Sequence, residues 1–256
     1  MYNFFKNEFK RCFFSKITFL GMAITFICLV IPYIDDLKIP YPNADGIIFF
    51  IRSSACLPLS YLPLLAPLIA CIPSATTYIV DKKSGILNYI LLKMKRKKYL
   101  KIRLVVNFLV SGLVLVIPQI IMLIFLIIRH GINNTSTEVV GAFSSVFYNS
   151  KIAYVIIMLV VFFISSAVFS TFALGISSIV ENKYLTIILP YIYVIISGTV
   201  FEMVGVNRIV NLNVMTLFDI GYSLDLTSLN VILYEVILFI IGVLLFYYFG
   251  EKKNYA

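Results

Sequence analysis

The feature that most constrains this chain is a set of long stretches free of charged residues: 17–34, 53–80, 104–128, 152–180, 184–201 and 236–250, together more than half of the 256 residues. An α-helix rises 1.5 Å per residue, so roughly 20 apolar residues cross a hydrocarbon core about 30 Å thick. Five of the runs reach or approach that length, and the sixth does so when extended back to 229 across Glu235. Composition agrees, with 61% of residues apolar and 13% charged, which excludes a soluble enzyme, a disulfide-stapled secreted domain and a disordered tail. The expectation is an all-α integral membrane protein: one transmembrane domain over 1–256 with six spans at 17–34, 53–80, 104–128, 152–180, 184–201 and 229–250.

Net charge is +9, a value that in a soluble protein would suggest nucleic acid. Here the charges report orientation. Threading six spans puts 1–16, 81–103, 181–183 and 251–256 on one side, with sixteen of the 21 Lys and Arg. Loops rich in Lys and Arg stay in the cytoplasm during insertion, so both termini and the basic loop are expected inside. No nucleic-acid partner is expected. Nor is a cleavable signal peptide, because sixteen mostly helix-forming residues precede the first apolar run without a small-x-small site.

Several segments carry more than a span. In residues 2–15, Phe5, Phe9, Cys12 and Phe13 share one helical face while Lys6 and Lys10 lie elsewhere, the pattern of an interfacial helix over 1–16. The second run holds Pro58, Pro63, Pro67 and Pro73. Each proline removes a backbone donor, so a kinked helix packed inside a bundle is expected, a candidate gate. In the cytoplasmic loop 81–103, Asp81 and the possible N-cap Ser84 precede Ile86, Leu87, Ile90, Leu91 and Met94, the spacing of one helical face, followed by a basic cluster from Lys93 to Lys98. Such a helix suits either the membrane surface or a groove on a soluble partner. Ala167, Thr171 and Gly175 form a row permitting close helix approach. The segment 202–228 is too apolar for full exposure and is expected to dip back into the outer leaflet.

Chemistry-bearing motifs are few. No Gly-Lys dipeptide occurs, so there is no phosphate-binding loop of the Walker type, and HExxH and GxSxG are absent. Catalytic, cofactor and metal sites are not expected in this chain. The four cysteines, Cys12, Cys28, Cys56 and Cys71, lack CxxC spacing and read as packing thiols. His130, the one histidine, reads as a solvated interfacial residue. Glu202 and Glu235 are the carboxylates nearest bilayer depth. Both are expected in the outer leaflet, within two turns of the surface, where pairing with Arg208 or Lys151 or snorkelling is feasible.

The run from Asp81 through Ser84, Gly85, Ile86, Leu87, Asn88, Tyr89, Ile90 and Leu91, with the basic stretch and Tyr99-Leu100-Lys101 after it, resembles the segment following the second span of ABC type-2 exporter permeases. There an acid precedes a Gly-Thr-Leu-like helix start and a basic patch. Ile86 replaces the usual threonine, and Lys93-Met94-Lys95 the usual proline-containing turn. The resemblance extends over the whole architecture: interfacial helix, six spans, apolar outer segment, both ends inside.

What it implies is a multi-pass permease subunit of a bacterial cytoplasmic membrane, paired with a second copy or close homologue and with two separate ABC ATPase subunits that carry ATP and Mg. The coupling helix would be 85–94, with Asp81, Ser84, Gly85, Ile86, Leu87, Ile90, Leu91 and Met94 in the contact and Glu181, Asn182 and Lys183 as its second part. The second and fifth spans would face the dimer axis, placing Tyr61, Tyr78, Tyr184 and Tyr191 near the substrate route. Small chains of this type resemble exporters of amphipathic peptides and peptide antibiotics, taken from the cytoplasm or inner leaflet. Export of polysaccharide or lipid-linked glycan, and a non-transport membrane assembly protein, are the alternatives, with a membrane enzyme disfavoured.

Overall fold

The computed structural model describes residues 2–38, 44–55, 60–73, 75–133, 141–180, 182–206, 211–223 and 226–252, with no strand among them. Its helices are α1 (Tyr2–Phe13), α2 (Lys16–Asp36), α3 (Gly46–Ser54), α4 (Leu62–Cys71), α5 (Thr77–Lys83), α6 (Ile86–Lys93), α7 (Arg96–His130), α8 (Ser144–Asn149), α9 (Lys151–Ile179), α10 (Lys183–Met203) and α11 (Ser228–Lys252). Five of these, α2, α7, α9, α10 and α11, are long and apolar enough to cross a membrane. The protein is an α-helical, multi-pass membrane protein.

Helix α9 is the centre of the bundle, packing along α7 and α11 and touching α4 and α10. It runs antiparallel to α7, with Ser170 donating to Asn107 at 3.0 Å, and parallel to α11. The row of small residues serves that last contact: a Cβ on Gly175 would stand 2.7 Å from the Gly242 carbonyl oxygen, and one on Gly242 would stand 2.8 Å from the Phe172 backbone nitrogen. Backbone meets backbone there, the approach that small residues permit between apolar helices. Cys12, Cys28 and Cys71 are buried and unpaired, while Cys56 lies outside the described residues.

The second expected span departs most from its sequence pattern. Residues 53–80 do not form one kinked helix. The stretch holds the end of α3, then the ten-residue α4 with Pro63 in its first turn and Pro67 inside it, then turn residues at 72–73, Pro73 among them, and at 75–76, then the start of α5, while Pro58 lies outside the described residues. Every proline deletes a ladder donor, and at this density the ladder breaks rather than bends. Ten residues of helix span about 15 Å, half a hydrocarbon core. The segment 46–83 nonetheless traverses the bundle: the Gly46 amide donates to Gly131 beyond one end of α7, and Asp81 bonds to Arg103 near the other.

Two further boundaries shift. Helix α7 begins at Arg96 rather than 104, so the second half of the basic loop is the first two turns of a 35-residue helix. In the outer segment, a single 3-10 turn at Val214–Phe218 buries Val214, Leu217 and Phe218 inside the bundle, with Phe218 stacked on Phe162 at 6.2 Å. Its backbone is satisfied by the chain itself, the Val214 amide donating to Ser197 Oγ at 3.3 Å and Tyr234 to the Leu212 carbonyl at 2.6 Å. That is the condition on which irregular backbone survives at such depth.

Candidate functional site at the basic end of the bundle

The end of the bundle that carries α1, α6 and the start of α7 holds a buried cluster of charges. Glu8 and Arg11 stand three apart on α1 and therefore share a face, as do Tyr99 and Arg103, four apart on α7. Asp81 occupies the last turn of α5 and is the hub. It accepts two bonds from Arg11, at 3.0 and 2.9 Å, one from Arg103 at 2.7 Å and one from the Tyr99 hydroxyl at 3.1 Å. Arg103 reaches Glu8 with its other terminal nitrogen, and Arg11 lies 3.1 Å from the same carboxylate. Asp81 and Arg103 are each 1% exposed.

Two arginines and two carboxylates sum to zero, so the cluster buries charge without burying net charge. For Arg11, burial alone would lower the pKa, but the Asp81 and Glu8 carboxylates outweigh it and the net direction is upward. The cluster ties three elements distant in sequence, α1, α5 and α7, into one unit. Helix α1, expected at the interface, is thus packed on the bundle as well. Cys12 is buried, and Phe5, Phe9 and Phe13, stacked in series, are half-buried against the protein core.

Helix α6 springs directly from this unit. Ser84 does not cap α6 as expected; its hydroxyl turns back to the Asp81 carbonyl at 3.4 Å, ending α5. Gly85 takes the N-cap position at φ +73°. No atom lies within 4 Å of where its Cβ would be, so the left-handed backbone, not lack of space, calls for glycine. The apolar face of α6 is divided. Leu87 is buried against Tyr78, Tyr99, Leu100, Leu174 and Phe246, with Ile90, Leu91 and Met94 half-buried beside it. Ile86, Tyr89 and Leu92 are exposed, at 43, 74 and 83%. The expected coupling set is therefore split: Asp81 and Leu87 face the chain's own interior, whereas Tyr89 and Leu92, which sequence spacing had not singled out, form the outer face with Ile86.

The remaining expected site residues do not all converge. Asn182 caps α10, accepting from the Tyr184 amide at 2.9 Å, and the Lys183 ammonium lies 4.9 Å from the Tyr184 ring centre; Glu181 is outside the described residues. Of the four tyrosines, Tyr78 and Tyr184 border adjoining hollows at the basic end. Tyr191 is half-buried in the core and Tyr61 is exposed at the start of α4.

Glu202 lies exposed near the end of α10, whereas Glu235 is set further into the bundle than its place in the chain suggests. It is buried and accepts a 2.6 Å hydrogen bond from Ser165, the middle residue of the 29-residue α9. Its expected partner Lys151 binds Asp45 instead, at 2.7 Å, and Arg208 lies outside the described residues. His130 is also held rather than solvated, sharing a 2.9 Å hydrogen bond with the Tyr33 hydroxyl and packing on Phe49.

Among the described residues no three His, Cys, Asp or Glu side chains are grouped to hold a metal. Bundle and buried charge cluster together define the class: a multi-pass α-helical membrane protein with its N-terminal helix clamped to its basic end. No family model, curated protein or solved structure matches the chain.

Proposed function

We propose that this chain is the permease subunit of an ATP-driven exporter of the ABC type-2 kind, working as a pair of permeases with two separate ATPase subunits and moving an amphipathic peptide outward from the cytoplasm or inner leaflet. One observation carries the reading: α6 is rooted on a rigid buried cluster by Asp81 and Leu87 while its exposed apolar face, Ile86, Tyr89 and Leu92, points away from the bundle. A short lever of that kind suits a partner's groove, and the clamp would pass its displacement to α1 and α7. In this reading the broken segment 46–83 is the sixth crossing, both termini are cytoplasmic, and the energy source resides on the partner.

Because Leu87 is part of the internal core, the decisive substitutions for this reading fall at Tyr89 and Leu92. Anchors seated in a groove each carry about 2 kcal/mol or more, so Tyr89→Asp is expected to weaken ATPase binding roughly thirtyfold while the chain melts as wild type. Co-purification with an ATPase subunit encoded beside it, read with a melting curve, checks this. Wild-type binding in the Tyr89→Asp/Leu92→Asp double variant would remove the coupling role.

Orientation has its own test. With Cys56 replaced by serine, so that the native thiols left are the buried Cys12, Cys28 and Cys71, a cysteine at Asn149 should react with an impermeant reagent in intact cells, whereas one at Lys97 should react only after lysis. The opposite pattern would invert the topology.

A further inference from the structure

At the basic end, α5 and the junction of α9 with α10 enclose two adjoining hollows that share Ile79 and Lys83. The inner one, of about 120 Å³, is bordered by Tyr78, Lys82, Ser177, Ser178 and Val180. The outer one opens past Val80, Ser84, Asn182, Lys183 and Tyr184. We propose that this cleft holds the phosphate headgroup of an anionic phospholipid from the adjoining leaflet, with an acyl chain laid along α10.

Charge is the first argument. Three lysines, Lys82, Lys83 and Lys183, come from two elements to line one cleft, and no carboxylate occurs among the described lining residues. Among the described residues Lys83 and Lys183 take part in no ion pair. Like charges gathered in one cleft repel one another, and a phosphate relieves that repulsion.

An unused donor is the second. Tyr78 is 3% exposed, and its ring packs edge-on against Phe246 at 5.4 Å. Yet its hydroxyl makes no hydrogen bond within the described chain and is not sealed in the core, so the residue that lines the inner hollow keeps a free donor there. The neighbouring hydroxyls cannot take its place as donors: Ser177 already donates to the Leu174 carbonyl and Ser178 to that of Gly175, each at 2.6 Å. Tyr78 is therefore the hydroxyl donor left for an acceptor oxygen in the inner hollow.

The third argument separates a lipid from a free anion. Lysines alone would serve inorganic phosphate, but from this cleft exposed apolar side chains continue down one side of the bundle: Val80, Ile179, Tyr184, Leu185 and Ile188. Phosphate above and hydrocarbon below is the profile of a phospholipid at the interface. The inference requires only the membrane location and stands apart from the exporter reading, since it needs no ATPase.

The test is lipid retention by the purified full chain, measured by native mass spectrometry after exchange into detergent with phosphatidylglycerol or phosphatidylcholine. Phosphatidylglycerol is expected to be retained preferentially. Lys83→Gln/Lys183→Gln should lower its affinity about tenfold and Tyr78→Phe about threefold, while Lys97→Gln/Lys98→Gln, changed on the exposed basic stretch of α7, stays within twofold. Melting curves confirm that each variant is folded, and the surface lysine pair keeps the test open should Tyr78→Phe perturb the core. Equal retention of the two lipids, equal losses in the two lysine pairs, or inorganic phosphate competing as well as the lipid would each overturn the proposal.

Discussion

Replacing Arg103 by glutamine is expected to destabilise the protein by about 3–5 kcal/mol, because it leaves Glu8 and Asp81 buried against a single remaining arginine. Arg103 is fully enclosed and contacts both carboxylates. The side chain of Arg11 is 40% exposed, so water can replace much of what it supplies, and Arg11→Gln should cost about 1 kcal/mol or less. Denaturant unfolding of the two variants in the same detergent measures the contrast, and comparable losses would mean that the cluster is not sealed. A third variant asks what the cluster is for. Replacing Glu8, Arg11, Asp81 and Arg103 together by leucine or methionine removes the charges without stranding any, and buried ion pairs replaced in this way are often neutral or better. If that variant is stable yet uncoupled from its partner, the charges serve to fix α1, α5 and α7 in one arrangement rather than to hold the fold together.

Why Arg103 escaped a sequence reading is instructive beside what did not. The positions of α2, α9 and α10 follow the charge-free runs to within a few residues, and α11 follows its run once that is extended back across Glu235 to 229, because hydrocarbon excludes charge locally and residue by residue. Arg103 was counted with the basic loop as one more cytoplasmic cation. Its partners lie 22 and 95 residues away, and no periodicity or spacing links positions so remote. The same holds for α6. Its apolar stripe was legible, but which part of the stripe turns inward depends on Tyr78, Leu174 and Phe246 arriving from three other helices. The break between α4 and α5 was half legible: the prolines marked the place, but whether a helix bends or parts depends on what surrounds the freed carbonyls.

Depth is the property that sequence order conceals most completely. Counted from the start of its own span, Glu235 is seven residues in and reads as interfacial. In the bundle, however, Glu235 stands level with Ser165, the middle residue of α9, and Gly242 level with Thr171 and Phe172, so α11 starts about two turns along α9. Tyr234, the neighbour of Glu235, joins Tyr193 at 2.9 Å and the Leu212 carbonyl, so the buried turn at Val214–Phe218 and the upper half of α11 are bonded together as well as packed.

Glu235→Lys is accordingly expected to cost about 3 kcal/mol, the price of a cation near the bilayer centre, and to reduce the yield of folded protein sharply. Lysine cannot accept the Ser165 hydrogen bond and would place its ammonium among Val161, Phe162 and Leu238 rather than at a surface. Glu235→Gln keeps the acceptor oxygen and the side-chain length, so its melting temperature should stay close to wild type, interhelical hydrogen bonds of this kind in membranes being worth about 0.6 kcal/mol on average. Ser165→Ala leaves the carboxyl without its donor and should fall between the two, at about 1–3 kcal/mol. Thermal unfolding of the three variants orders them. Were Glu235→Lys as stable as Glu235→Gln, the side chain would have to reach water, and the mid-bundle position assigned to it would be wrong. Were Glu235→Gln stable but inactive in transport, the ionisable carboxyl itself, beyond its hydrogen bond, would be part of the export cycle.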